Sequence, residues 1–229
     1  MKTIIITGVT GNLGKAVAEK FISKEYKVIG TVLPNDPVQL NFPGGNFETY
    51  PVDLLDETAS QEFVNTVLSK HGSIDATVLT VGGFATGTIA DTAAADISKQ
   101  YQLNFETAYN IARPVFNQML KQNDGRIFII GARAGLRADM SKGMIAYGLA
   151  KSMLLRLAEL MNLEAKGYNV VTSVVIPSTI DTAQNRAAIP AGNFDSWVKP
   201  ADIADIIYFH TSAEASILRE TVIKAYNNA

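Results

Sequence analysis

Tyr147 and Lys151 have the types and spacing to move a proton. In the run Tyr147-Gly148-Leu149-Ala150-Lys151 they stand four positions apart. On a helix both heads then lie on one face and can meet at one substrate. A phenol titrates near ~10 and is a poor donor at neutral pH, while a neighbouring ammonium favours the phenolate and lowers that value. The pair therefore predicts a general acid. Such spacing also arises by chance, so the surrounding elements must decide.

A second chemistry sits at the other end of the chain. TGVTGNLG, with glycines at 8, 11 and 14, follows the apolar, β-branched run 3–7 and precedes Ala16, Val17, Phe21 and Ile22 at helical spacing. Glycines there allow a tight turn and let the backbone of Gly8, Gly11, Asn12, Leu13 and Gly14 approach a pyrophosphate. The next helix points its positive end at the same phosphates. Strand, glycine turn and helix in that order predict a dinucleotide site. Asp53 has two readings: a carboxylate accepting from an adenine amino group, or the cap of the helix beginning near Asp56.

The remaining pattern supplies the frame. Apolar runs at 3–7, 27–33, 47–52, 76–81, 126–130, 169–176 and 220–225 read as seven strands. Helical periodicity is expected to about 24 and at 57–71, 96–121, 144–166 and 200–211. Residues 84–95 read as a loop with a short helix, 132–142 as a loop, and 178–198 as an insertion capping a substrate. The alternation predicts an α/β fold: one doubly wound parallel sheet of about seven strands flanked by helices, in a single domain over 1–229.

Composition narrows the function. Of 229 residues 47% are hydrophobic and 18% charged, enough for a large core and against a mainly disordered chain. A net charge of -2 gives no electrostatic reason to expect nucleic acid. No apolar run reaches the ~18 residues of a membrane span, and none is expected. Without cysteine, disulfides, thiolate metal sites and a cysteine nucleophile are excluded, which suits a cytoplasmic protein. His71 and His210 are far apart with no ligand cluster, so no metal site is expected. Neither G-x-S-x-G nor P-loop spacing occurs.

The glycine turn, Asn104, the Tyr147/Lys151 pair and Pro177 after the sixth strand form an ordered set that resembles the short-chain dehydrogenase/reductase family across nearly the whole chain. The resemblance implies a Rossmann-type fold and an NAD(P)-dependent oxidoreductase with Tyr147 as proton donor and Lys151 binding the nicotinamide ribose while lowering the tyrosine pKa. It implies that Asn104 holds a water in the proton relay and that Thr182 touches the nicotinamide carboxamide. Gly82 and Pro177 then belong to the cofactor site. A kinked helix with a satisfied side chain is the other reading of Asn104.

Three departures from the family pattern carry information. Leu79-Thr80-Val81-Gly82 stands for the usual Asn-Asn-Ala-Gly, and Pro177-Ser178 for Pro-Gly. The catalytic serine expected after the fifth strand is Ala132, and Ser141 lies outside that motif as loop. A polarising donor of that kind is typically worth ~3–4 kcal/mol, so an ordinary ketone reductase should suffer, whereas a strongly electrophilic iminoquinone needs less help. GARAGL, GMIAYGLAK, Val81-Gly82-Gly83-Phe84-Ala85 and the segment from Pro177 through Asp181-Thr182, Asn185-Arg186 and Phe194 to Trp197 are in turn similar to the quinonoid dihydropteridine reductases. That family also has a small residue for the serine.

This closer resemblance implies a quinonoid dihydropterin or similar quinone-like small molecule as substrate. Phe84 or Trp197 could stack on it, or pack in the core. Arg186, Arg133 and Arg137 could line the mouth, or be solvated surface. The acidic residue expected at the end of the second strand is absent from Gly30-Thr31-Val32-Leu33-Pro34-Asn35, which leaves NAD and NADP both open. The family implies a homodimer or homotetramer through helices 96–121 and 144–166, whose apolar residues include Ile111, Val115, Met119, Leu154, Leu157 and Met161; plain core helices fit the same periodicity. Two rivals remain: a reductase or dehydrogenase of another carbonyl or alcohol, and an NAD(P)-binding sensor without turnover.

Overall fold

Successive side chains of a strand point to opposite faces, and the first strand shows both faces covered. Ile4 and Ile6 join one apolar core and Ile5 the other, and all three are fully buried. The computed structural model describes residues 1–38, 40–42 and 45–228. Its strands are β1 (Thr3–Thr7), β2 (Lys27–Val32), β3 (Phe47–Pro51), β4 (Ala76–Leu79), β5 (Asp124–Ile130), β6 (Asn169–Pro177) and β7 (Val222–Ala225). They form one seven-stranded parallel sheet in the order β3-β2-β1-β4-β5-β6-β7.

Helices cover each side. On one, Ile5, Ile29 and Ile127 meet Val64 and Val67 of α2 (Glu57–His71), Ile111, Val115 and Met119 of α4 (Thr107–Gln122) and Leu154 of α6 (Ile145–Glu164). On the other, Ile4, Ile6 and Phe128 meet Val17 and Phe21 of α1 (Asn12–Ile22) and Ile203 and Ile207 of α8 (Pro200–His210). The chain leaves β1 towards β2 on one side and returns to β4 on the other. Strand order therefore reverses beside β1, and a crevice opens there at the carboxyl ends of the strands.

Three stretches differ from expectation. The helix expected at 96–121 is α3 (Ala94–Tyr101), a π-turn at Gln102–Glu106, then α4. The Asn104 amide donates to the Gln100 carbonyl, 3.2 Å away, the acceptor that the Asn104 N–H would use in an α-helix. No helix occupies residues 84–93, and α3 begins where Asp96 accepts from the Ala93 N–H at 2.9 Å. The loop expected at 132–142 holds α5 (Arg133–Leu136) and a 3-10 turn, Ala138–Ser141. The segment 178–198 carries α7 (Ala183–Ala188) and a second 3-10 turn, Phe194–Ser196.

Candidate active site

The glycine loop is built for close approach. Gly8 has φ +62, and a Cβ on Gly14 would lie 2.9 Å from Val9 Cα, so that glycine lets α1 pack directly over the loop. Gly11 is the N-cap of α1 and offers no side chain to its first turn. The orphan N–H groups of that turn are left for a ligand, and Asn12, Leu13 and Gly14 line a cleft of about 420 Å³. Its other walls include Val32, Asp36, Asp53 and Gly82. A backbone cradle that side chains would fill, continued by apolar and acidic walls, fits the pyrophosphate and adenosine of a dinucleotide.

Asp53 is not the helix cap. Asp56 is, accepting from Ala59 N at 3.0 Å, while Asp53 accepts from Leu55 N at 3.0 Å and lines the cleft. Asp36 is the residue sequence reasoning missed. Leu33-Pro34-Asn35-Asp36 is a turn closed by Asp36 N donating to Leu33 O at 3.0 Å, with Asn35 at φ +66. That turn brings the Asp36 carboxylate to the cleft, where it accepts from Thr10 Oγ1 at 2.9 Å in the glycine loop. The apparent loss of an acidic residue near β2 is therefore corrected: a carboxylate is present, displaced beyond the turn. The Pro-Asn pair was the available signal.

Tyr147 and Lys151 sit at the start of α6, as their spacing predicts, but their electrostatics differ from expectation. Lys151 is buried, its Nζ donates to Ile130 O at 2.9 Å, and it lies 5.9 Å from the Tyr147 ring centroid. Burial lowers the Lys151 ammonium to about 8. The phenol is not lowered by it: burial pushes Tyr147 up to about 12. At this separation the loss of water outweighs the attraction. A Cβ on Gly82 would lie 2.7 Å from Asn104 Oδ1 and 3.1 Å from Lys151 Nζ, so the β4 turn threads between both side chains.

Asn104 is fully buried and fully occupied. Its Oδ1 accepts from Gly83 N at 3.1 Å and its Nδ2 donates to Gly83 O at 3.0 Å and Gln100 Oε1 at 2.9 Å. The side chain expected to hold a water clamps a peptide of the turn. π-turns of this kind frequently mark functional sites, here by aiming Asn104 at the turn beneath Tyr147 and Lys151.

Ala132 stands between β5 and α5. Ser141 donates its hydroxyl to Ala134 O and packs against Gly148. Phe84 is 64% exposed with its ring edge-on to Tyr147 at 5.2 Å, so an aromatic wall meets the phenol. Thr182 caps α7, accepting from Asn185 N at 3.1 Å. Pro177 ends β6 opposite Ala225.

Two expected substrate contacts are engaged elsewhere. Trp197 is only 7% exposed and packs edge-on against Phe194 at 4.8 Å, which makes it core. Arg186 is locked to Asp181, with Nε–Oδ1 at 2.6 Å and Nη2–Oδ2 at 2.8 Å, and lies over Phe194. These contacts, with Asp181 N donating to Val198 O at 2.8 Å, fold the segment 178–198 onto itself.

Known proteins resemble this chain throughout. A 3-oxoacyl-[acyl-carrier-protein] reductase from Buchnera aphidicola is 24% identical over 95% of this chain and 92% of its own length. An acetoacetyl-CoA reductase from an Acinetobacter species is 24% identical over 77% and 73%. Among solved structures, ElxO with NADP bound superposes with a TM-score of 0.88 at 24% identity, covering 97% of this chain and 96% of that one. The aldohexose dehydrogenase of Thermoplasma acidophilum superposes at 0.83 with 21% identity over 97% and 91%. The model of the short chain dehydrogenase family matches residues 2–191, from the glycine loop through the Tyr147/Lys151 helix into the capping segment. The chain belongs to the short-chain dehydrogenase family and is an NAD(P)-dependent oxidoreductase.

Proposed function

We propose that this oxidoreductase reduces an activated, planar C=N or C=O group, a quinonoid dihydropterin or similar quinone-like compound, with Tyr147 supplying the proton. The observation that carries the reading is the half-buried Tyr147 phenol against the exposed Phe84 ring, beside a buried lysine, with Ala132 where a polarising hydroxyl is expected. When bound, NAD(P)H supplies a hydride from C4 of its nicotinamide and leaves oxidised.

This chain's residues do the rest. The amides of Asn12 to Gly14 would hold the pyrophosphate, Asp53 would accept from the adenine, and Asp36 would meet the adenosine ribose. Gly82, Pro177 and Thr182 bound the nicotinamide end. Tyr147 gives its proton to the substrate heteroatom, so the double bond takes up one hydride and one proton. Lys151, cationic below pH about 8, stabilises the phenolate this leaves. Asn104 acts as a positioning residue through the Gly83 peptide.

A ketone reduced without the serine would lack the donor worth ~3–4 kcal/mol. The second reading, a 3-oxoacyl thioester, is favoured by the activities named for the relatives. Steady-state NADH and NADPH oxidation separates the two. Turnover with quinonoid dihydropterin well above that with acetoacetyl-CoA or simple ketones is expected. Turnover with the ketones and none with the pterin contradicts the proposal, and no oxidation with any of them favours the sensor.

A further inference from the structure

We infer that Arg133 is a specificity residue for an anionic group, a carboxylate or similar acid, carried by the substrate away from its reacting bond. This rests on the reductase reading of the same site. Arg133 is the residue after Ala132, at the carboxyl end of β5, so its Cα stands next to where the polarising hydroxyl is missing. Its helix packs on the proton-donor helix, with Gly135 directly against the Lys151 backbone.

Charge balance sets Arg133 apart. Arg113, Arg137, Arg156 and Arg186 pair with carboxylates, those of Glu57, Asp139, Glu159 and Asp181. Arg126 and Arg219 donate to backbone carbonyls. Among the described residues the guanidinium of the half-buried Arg133 has neither, and the Tyr226 ring lies under it, 5.5 Å to the centroid. Tyr226 follows Ala225, which pairs with Pro177 at the end of β6. The cation thus sits over the carboxyl ends of the sheet, on the rim that carries Ala132 and Pro177.

A cation held over a ring face with no carboxylate beside it keeps its N–H donors for a ligand. Five N–H donors in a fork match a carboxylate bidentately. Phe84 and Tyr147 would take the flat, apolar part of such a substrate and Arg133 its charged group, which selects a planar electrophile bearing an acid.

Isatin and isatin-5-carboxylate differ by that one group and serve as probes. Their binding is measured by calorimetry in saturating oxidised cofactor, for the wild type, Arg133→Gln and Arg133→Lys. The wild type should bind the carboxylate about ten-fold more tightly than isatin. Arg133→Gln should erase that preference while leaving isatin affinity within about two-fold, and Arg133→Lys should keep part of it. A wild type without the preference, or an Arg133→Gln variant that retains it, overturns the inference. Because the preference is read without turnover, failure of the reductase reading shows separately, as absent NAD(P)H oxidation with either probe.

Discussion

Burial sets the ionisation of both polar heads at the centre of the site, lowering Lys151 to about 8 and raising Tyr147 to about 12. Their spacing was legible in the sequence; this was not, because burial is imposed by Gly82, Ile130 and other residues far away in the chain. Tyr147 stays protonated across the usable range, whereas Lys151 loses its charge as pH rises through about 8. The kcat/KM for reduction should therefore fall above pH about 8, and a profile flat to pH 10 would remove Lys151 from the mechanism. In the folded chain alone the lowered lysine is a net cost below that pH, relieved between about 8 and its ordinary 10.5. Lys151→Met should accordingly raise Tm by a few degrees, of order 1 kcal/mol, while reduction drops by about 10²-fold or more. At the cofactor end, the Asp36 carboxylate lines the cleft, where it would accept from a ribose diol and repel a 2′-phosphate. NADH should bind more tightly than NADPH, and Asp36→Asn should narrow or invert the ratio by about ten-fold, as paired cofactor titrations would read.

Elements were legible wherever a local pattern decides them. The apolar runs and the glycine loop fall where expected because each needs only neighbouring residues to specify it. The π-turn at Gln102–Glu106 did not show, since a 3.6-residue periodicity cannot register one inserted residue. Nor did the packing of 178–198, whose Arg186–Asp181 and Trp197–Phe194 contacts belong to tertiary structure. Asn104→Ala would remove four hydrogen bonds, two of them to the turn, leaving the Gly83 N–H and carbonyl without their side-chain partner. The cost should be about 2–3 kcal/mol in chemical denaturation. Reduction should fall with the cofactor Kd little changed; a variant with full stability and activity would show that the clamp positions nothing.

At the scale of the molecule, the helix residues first considered for subunit contacts prove to be internal: Ile111, Val115, Met119, Leu154 and Met161 are buried, and Leu157 packs against the core. A different stripe is exposed on α6, at Leu149, Met153, Leu160 and Leu163, in alternating steps of four and three interrupted by Arg156. Beside it, Tyr101, Phe105 and Tyr109 stack along α3 and α4 with centroids 5.4 and 5.9 Å apart. Leu163 is 70% exposed, and exposed apolar residues grouped in this way would suit an association surface. Sedimentation should give a homodimer or homotetramer, and the pair Leu160→Glu with Leu163→Glu should shift it towards monomer. A wild type that sediments as monomer would contradict that expectation.

The account as a whole stands on Tyr147 as the group that gives up a proton. Tyr147→Phe removes only the hydroxyl and keeps the ring against Phe84, so one preparation tests binding and chemistry together. NADH and NADPH Kd should stay within about two-fold of wild type while oxidation with quinonoid dihydropterin or isatin falls by about 10²-fold or more. A variant that binds cofactor and reduces substrate at the wild-type rate would contradict the central claim.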